Sequence, residues 1–391
     1  MSKFIQIHFL TGYSGALINR DDTGLAKRLN YGGSVRTRIS SQCQKRAWRM
    51  STGLDRIGGL ADAASDVRTK LIIENLASEI IAEGADAGAV DAIVPDFIRA
   101  IYGDKAYDVK KAKTGKNKDV GGTEPEETGN ENRTSKRQGL LFSGAEVAFF
   151  KTKMLEAVVA DDPAAAAADF KKNYKSIMQV MRENCDVPGG LTSALFGRMV
   201  TSDVAANVDA AIHVGQAITV HADRSETDFF SAVDDLAKND DSGAGHIGDT
   251  EMGSGLFYGY VVVDVDQLVN NLGGDRDLAA EVTSNLVRLI ATVSPGAKKG
   301  STAPYAYAST MVVEAGDAQP RSFAEAYRNP IRPETHEAAE TAMSDFLDRH
   351  DRVFASGEDR MWLSIRNDSR IPGQRGNLNE VSAFAAARVR D

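Results

Sequence analysis

The chain has 391 residues, 42% of them hydrophobic and 26% charged, with a formal net charge of −9. These proportions supply a sizeable core and exclude collagen-like, disulfide-stapled and wholly disordered classes, and the length suggests roughly two to three domains. No apolar run approaches the ~18 residues that a membrane-crossing helix needs. The start, MSKFIQIHFL, lacks the long apolar region and small-residue cleavage site of a secretory leader, and Cys43 and Cys185 belong to no CxxC pair. The expectation is a cytoplasmic protein with reduced thiols, no structural zinc and no membrane contact.

Charge is unevenly spread. Residues 1–60 hold ten Lys or Arg against three acids, a local balance of +7 that leaves −16 for the rest. Polyanion binding needs a local positive surface and not a positive total. A strongly basic start on an acidic body therefore keeps nucleic acid among the partners, beside the plainer reading of a solvated basic face.

In chain order, Phe4–Leu10 reads as a strand, rich in β-formers. Thr11–Gly33, long and glycine-punctuated, reads as a loop, with Val35–Ile39 extended again. Ser40 or Ser41 caps a helix to about Thr52. Ile72, Ile73, Leu76 and Ile80 recur at helical spacing. Residues 105–137 carry nine bases, six acids and almost no apolar side chains, which predicts a mobile surface loop. Asp162-Pro163 opens another helix, with Asp at the cap and Pro in the first turn. Gln216–His221 is a short strand, and Arg224–Gly255 is acidic, glycine-rich and carries Phe229-Phe230. Leu256–Val265 is the strongest strand signal, built from Phe, Tyr and Val. Leu278, Val282, Leu286 and Leu289 share a helix face, and Met311–Glu314 is a further strand. With roughly 58–198 and 223–255 set aside as insertions, the order is strand, helix, strand, strand, helix, strand. That order suits a ferredoxin-like sheet with helices on one face, the α+β plan of many RNA-recognition modules.

The most informative stretch is Asn19-Arg20-Asp21-Asp22, followed by Gly32-Gly33-Ser34-Val35-Arg36-Thr37-Arg38-Ile39-Ser40-Ser41-Gln42 and by Lys45, Arg46 and Arg49. With a helix starting at Ser41, Gln42, Lys45, Arg46 and Arg49 share one face, and Cys43, Ala47 and Met50 form a narrow apolar one. Free amides at the helix start, the Ser40 hydroxyl and the positive dipole end form an anion site, which Lys45 and Arg49 extend along successive phosphates. The same spacing also describes an amphipathic helix with a merely solvated basic face.

These residues resemble the repeated backbone subunit of the type I-E CRISPR surveillance complex Cascade, the CasC family. The signature is NRDD followed by GG-x-x-R-x-R-I-S-S-Q-x-x-K-R-A. Further blocks follow in family order: Gly197-Arg198-Met199-Val200-Thr201-Ser202, Ala217–His221, Phe230–Leu236, Gly255–Tyr258, Asn271–Gly274 and Pro295-Gly296-Ala297-Lys298. Residues 105–138 and those after 330 depart from the pattern. The resemblance implies a non-catalytic scaffold shaped like a right hand. Its RRM-like palm would comprise 1–57, 199–222 and 256–391, with helical fingers at 58–198 and a β-hairpin thumb at 223–255. Such subunits polymerise along the guide crRNA, kink it at intervals and leave segments open for pairing with target DNA. The implied partners are crRNA, target DNA, further copies of the chain, and the large, small, 5′-end cap and crRNA-processing endonuclease subunits. The implied RNA-contacting residues are Arg20, Lys27, Arg38, Ser40, Gln42, Lys45, Arg46 and Arg49, with Met199 packing against a splayed base. Lys110, Lys111, Lys113, Lys116, Lys118, Arg133, Lys136 and Arg137 are candidates for touching target DNA from the fingers.

No cofactor, metal site or catalytic residue is expected. The six histidines form no HxxxH, and His221, ending a strand, reads as structural. Asp21 and Asp22 read as ion-pair partners in a cationic loop. The competing expectation is a metal-dependent endoribonuclease like the related type III backbone subunits, with Asp21 or Asp22 positioning the metal or water.

Overall fold

The computed structural model describes residues 2–60, 66–107, 137–185, 187, 189–232, 246–355 and 357–391. The chain divides into two compact units, Asp62–Ala210 and the remainder, Met1–Ala61 with Ala211–Asp391. The boundaries expected for the helical insertion, 58–198, fall short of this unit at its C-terminal end.

The first unit is a mixed α+β layer built on a ten-stranded sheet. Its chain opens with β1 (Phe4–Ala16), six residues longer than the expected strand. β1 is extended because it is paired on both sides, with β10 (Ala308–Gly316) from Phe4↔Gly316 and with β9 (His246–Asp264) from Phe4↔Asp264. The expected loop also hides β2 (Arg28–Tyr31), which forms a hairpin with β3 (Ser34–Ile39). Gly32 and Gly33 make that turn, both at positive φ as a tight two-residue hairpin requires. A Cβ on Gly32 would lie 1.6 Å from the Arg328 carbonyl oxygen, so it is backbone packing that demands glycine there.

Helix α1 (Ser41–Arg49) follows and stops at Met50, earlier than expected. After the inserted unit the chain returns through β6 (Ile212–Val214) and β7 (Ala217–Thr219). β8 (Ser225–Ala232) then pairs with the first half of β9, from Ser225↔Gly253 to Ala232↔His246, so the segment that the family resemblance makes a hairpin is antiparallel over its described length. Helices Val265–Asn271 and Arg276–Thr292 lead to β10, and His336–Phe354, β11 (Asp359–Ser364), β12 (Gln374–Arg375) and Leu378–Arg390 complete the unit. The spatial order of strands is β12-β11-β10-β1-β9-β7-β3-β2.

Alternation along β1 sends Phe9 toward Gln44 and Trp48 of α1 and Ile290 of the helix Arg276–Thr292. Leu10 faces the other way, into a cluster with Tyr258, Val312, Phe323, Met343, Leu347 and Trp362. Helices were expected on one face only. The helix His336–Phe354, whose Met343 and Leu347 are fully buried, covers the second face over β1, β9, β10 and β11. This layer comes from the region after 330, where the family pattern gives no guidance.

Beneath that cover lies a buried ionic network. Glu314 on β10 is inaccessible to solvent and is flanked by Arg321 at 3.0 Å and Arg360 at 2.6 Å. His8 stacks face to face on Phe323, at 3.5 Å between ring centroids, and turns Nε2 to Glu314 at 3.4 Å. The Tyr258 hydroxyl lies 2.9 Å from Nδ1. Burial lowers the His8 pKa, and His8 and the two arginines bring Glu314 down to about 2 against the opposing effect of its own burial.

The second unit is mainly helical. Ile72–Ala82, Ala87–Tyr102, Gly144–Val158 and Pro163–Glu183 bury one core around Ile73, Ile80, Phe97, Phe150, Phe170 and Met178. Asp162 caps its helix as expected, its carboxylate accepting from the Ala165 amide at 3.0 Å with Pro163 in the first turn. Strands β4 (Val67–Thr69) and β5 (Leu140–Phe142) pair to close the unit. Inside it, buried Arg198 bonds Glu146 at 2.6 Å and the carbonyl of Ala206 at 2.9 Å. No helix among the described residues is long and apolar enough to cross a membrane.

Candidate nucleic-acid interface

The candidate site grows from the start of α1. Ser40 is extended, at φ −66° and ψ 150°, and its Oγ accepts from the Cys43 amide at 3.3 Å. This is an N-cap, worth about 1 kcal/mol to a helix of nine residues. The Ser40 oxygen expected at RNA is therefore committed to the helix. It is also 95% buried, which limits its hydroxyl's reach to a ligand. The Ser40 amide donates to Asn19 Oδ1 at 2.9 Å, which latches the 19–27 loop against the helix start. The Lys27 amide donates to the Asn19 carbonyl at 3.0 Å and the Arg38 amide to the Lys27 carbonyl at 2.8 Å. One latch thus gathers Arg20, Lys27 and Arg38 beside α1.

On α1, Gln42 and Arg46 are exposed and Lys45 and Arg49 half-buried. Of the expected core-facing residues, Cys43 is partly buried and packs against the cluster of Ala16, Ile18, Ile39, Ala217 and Phe257, whereas Met50 is 54% exposed. Gln44 and Trp48 turn inward instead, and Gln44 Nε2 donates to the carbonyls of Ile39 (3.3 Å) and Gly215 (2.9 Å). A polar residue that satisfies backbone acceptors occupies a core position, so hydropathy concealed the true face. The visible signal was Trp48, the one large ring in the helix, four residues after Gln44.

The cations around this helix differ in what neutralises them. Arg28 pairs with Asp223 at 2.8 Å and with Glu251. Arg36, part of the signature, is fully buried and donates to the carbonyls of Thr219, His221, Tyr327 and Arg328 at 2.8–3.3 Å. It is a cross-brace of the fold, which no local pattern distinguished from its neighbours. Arg38 is held by Gln216 Oε1 at 2.5 Å and the Arg28 carbonyl at 3.3 Å. Arg20, Lys27, Lys45 and Arg46 have no hydrogen-bonded or ionic side-chain partner among the described residues. For Lys45 this has a measurable cost, since partial burial lowers its ammonium pKa with no nearby anion to compensate.

Asp21 and Asp22 were expected to form ion pairs, and neither does so among the described residues. Asp21 Oδ1 accepts from the Thr23 amide (3.0 Å), the Thr23 hydroxyl (2.8 Å) and the Leu25 amide (3.0 Å), closing the loop on itself. These donors, Thr23 Oγ1 foremost, lower its pKa. Among the described residues no group of three or more His, Cys, Asp or Glu is placed to hold a metal. His221 is buried at the β7 edge, with Nδ1 2.7 Å from the Ala222 carbonyl and Nε2 3.2 Å from the Leu256 amide, a fully used structural ring.

Within the second unit, Met199 is 66% exposed between buried Arg198 and Val200. Arg198 is anchored by Glu146 and by the Arg198↔Val208 bridge, so the exposed thioether sits on a fixed backbone. The arrangement leaves Met199 outside the core. Arg137, a DNA candidate, is a correction: it is 96% buried, pairs with Glu74 and donates to the Ala106 and Lys70 carbonyls. It closes the unit and presents no charge to a ligand. Lys110, Lys111, Lys113, Lys116, Lys118, Arg133 and Lys136 lie outside the described residues, as does most of the predicted 105–137 loop.

A family model described as CT1975-like protein matches residues 5–387. Two solved structures are similar over nearly the whole length. One, titled a CRISPR RNA-guided surveillance complex, pre-nicking, is 26% identical with a TM-score of 0.73, covering 98% of this chain and 100% of that one. The other, titled a CRISPR RNA-guided surveillance complex, is 20% identical with a TM-score of 0.58, covering 98% and 99%. No curated protein sequence matches the chain. The family match and the first structure bear out the resemblance to the Cascade backbone family drawn from the sequence blocks.

Proposed function

Since the chain belongs to the CT1975-like protein family, we propose that it is a crRNA-binding backbone subunit of a CRISPR surveillance complex, of type I-E. In this reading it is not itself an enzyme. It polymerises along the guide in the cytoplasm, holds and kinks the RNA backbone, and presents open segments to target DNA, beside the complex's large, small, cap and crRNA-processing subunits.

The observation that carries the reading is the set of unneutralised cations around the start of α1: Arg20, Lys27, Lys45 and Arg46. A folded protein neutralises cations it keeps for its own stability, as Arg28 shows here. Cations gathered on a latched loop and a capped helix, yet left without an acid, suit a ligand that brings its own negative charges. Arg49 and Gln42 continue the same helix face.

The strand order supports this, and the covered sheet face narrows where RNA could bind. The order β10-β1-β9-β7, with α1 and the helix Arg276–Thr292 against one face, follows the strand order of an RRM-like palm. The opposite face, on which RRM modules stack bases, is buried here beneath His336–Phe354. We therefore read RNA binding as a function of the α1 edge and not of the sheet face. The hairpin of β8 and β9 is the thumb, the unit Asp62–Ala210 the fingers, and Met199 the apolar contact for a splayed base. Asp21, with Oδ1 engaged by three donors, serves the loop and not hydrolysis.

The test is binding of full-length chain to single-stranded RNA by fluorescence anisotropy across a salt series. Lys45→Ala with Arg49→Ala weakens binding for every sequence and reduces the logarithmic salt slope by about 1.4. Unchanged affinity and slope in a folded double variant would sink the phosphate-track assignment. Cleavage of matching RNA with Mg²⁺, lost in Asp21→Ala or Asp22→Ala, would replace the scaffold with a nuclease.

A further inference from the structure

Tyr305 and Tyr307 are 72% and 73% exposed, among the most open aromatic side chains described. Neither has a ring contact, an ion pair or a side-chain hydrogen bond among the described residues. They do not lie on a floppy segment. The residue between them, Ala306, is fixed at both ends of its backbone by one hydroxyl: Ser294 Oγ accepts from the Ala306 amide at 2.9 Å and donates to its carbonyl at 2.8 Å. The next residue, Ala308, is buried and starts β10. In an extended run, residues two apart project to one side about 6.5–7 Å from each other. Holding Ala306 inward thus presents two phenol rings outward, at a spacing near that of two stacked π layers.

Two lysines precede these rings in the chain. The short helix Lys299–Thr302 precedes them, with Lys298 and Lys299 exposed at its start. Lys298 and Ala303, which flank it, both adopt left-handed backbone, at φ 50° and 40°. The Lys298 ammonium bonds Thr250 Oγ1 on the β8–β9 hairpin and stands over the Phe230 ring, 5.4 Å from its centroid. The Ala297 amide donates to the Leu17 carbonyl at 3.1 Å, two residues before Asn19 and the latched loop. The tyrosines therefore end a segment that is tied at Lys298 to the hairpin and at Ala297 to the stretch leading into the cation-bearing loop.

We propose that Tyr305 and Tyr307 form a stacking platform for bases of single-stranded nucleic acid, extending the phosphate track of α1 to a second, base-contacting site. The proposal rests on the guide-RNA reading above. Lysines alone would suit any anion, and exposed aromatic rings alone would suit a protein partner. Two rings held outward, following closely in the chain on two lysines with no acidic partner among the described residues, match a strand that carries both phosphates and π faces. Stacking is indifferent to base identity, as a subunit that must hold any guide requires.

The test uses the full-length chain and a fluorescein-labelled single-stranded oligouridylate. Tyr305→Ala with Tyr307→Ala should raise Kd on the order of tenfold per ring, leaving the salt slope unchanged. Tyr305→Phe with Tyr307→Phe should bind within about twofold of the unsubstituted chain, because stacking needs the ring and not the hydroxyl. Lys298→Ala with Lys299→Ala should lower the slope by about 1.4 instead. Unchanged affinity in the alanine pair, with Lys45→Ala/Arg49→Ala weakened as expected, overturns the platform and leaves the track standing. If the alanine pair loses only self-association in sedimentation, at unchanged RNA affinity, the rings are a protein contact and the proposal is overturned. If the unsubstituted chain fails to bind the oligonucleotide, the guide-RNA reading falls and the platform with it.

Discussion

The face of α1 and the network around Glu314 are both rich in cations, and they treat them in opposite ways. Around Glu314, Arg321 and Arg360 are half-buried and held by carboxylates, with Asp351 2.9 Å from Arg360 and Glu358 2.9 Å from Arg321. On α1, Lys45 is partly buried with no acid beside it, and Arg46 is exposed. Burying an ion costs several kcal/mol unless it is paired. The network's charges repay that cost inside the fold, whereas Lys45 has no acid beside it to repay it. The pairing of a cation thus separates architecture from binding more sharply than its position in a basic run.

The strongest way to break this comparison is Glu314→Gln. It leaves two largely shielded guanidiniums without their shared carboxylate and should cost about 3–5 kcal/mol in a urea titration. A loss under 1 kcal/mol would mean that the network is not holding the sheet. Acidification probes the same place. Glu314 has its pKa depressed to about 2 in the fold, so its contribution is complete above the ordinary carboxylate pKa and vanishes as pH falls from about 4.5 to 2. His8, also depressed, acts earlier: below pH ~6.5 the unfolded chain takes a proton that folded His8 refuses, and stability declines from there. Two successive losses in the denaturation midpoint are expected, and Glu314→Gln should erase the lower one, worth roughly 3 kcal/mol.

Arg36→Lys comes next. A lysine cannot span four carbonyls as the guanidinium does, and a cost of about 2 kcal/mol is expected without a matching loss specific to RNA affinity. The smallest stability effect sharpens the comparison most. Lys45→Met keeps the packed stem and removes the desolvated charge, so thermal stability should hold or rise by a few tenths of a kcal/mol while RNA binding weakens. Loss of stability in this variant would show that Lys45 belongs to the architecture after all.

Much of the local structure was legible in the chain. Ser40 as the cap of α1, Asp162-Pro163 as a helix start and the long apolar strand at Leu256–Val265 are signals carried by neighbours a few residues apart. The basic helix face was legible for the same reason. The inward side of α1 was not, because Gln44 reaches the Gly215 carbonyl 171 residues away, and only that partner makes a glutamine a core residue. Arg137 misled in the opposite direction: it closes a run of charged residues, and its burial depends on Glu74 and Lys70.

The sequence by itself determined the first strand, the helix opened at Asp162-Pro163, and the cap and cationic face of α1, because backbone propensity and helical periodicity act over one or two turns. Only the tertiary structure decided which cations are spent on the fold and which stay without an acidic partner among the described residues. It also decided that the second sheet face is covered, and that Tyr305 and Tyr307 stand outside. Each of these turns on contacts between residues far apart in the chain, such as Leu10 with Leu347 or Arg36 with Tyr327, which exist once the sheet has closed.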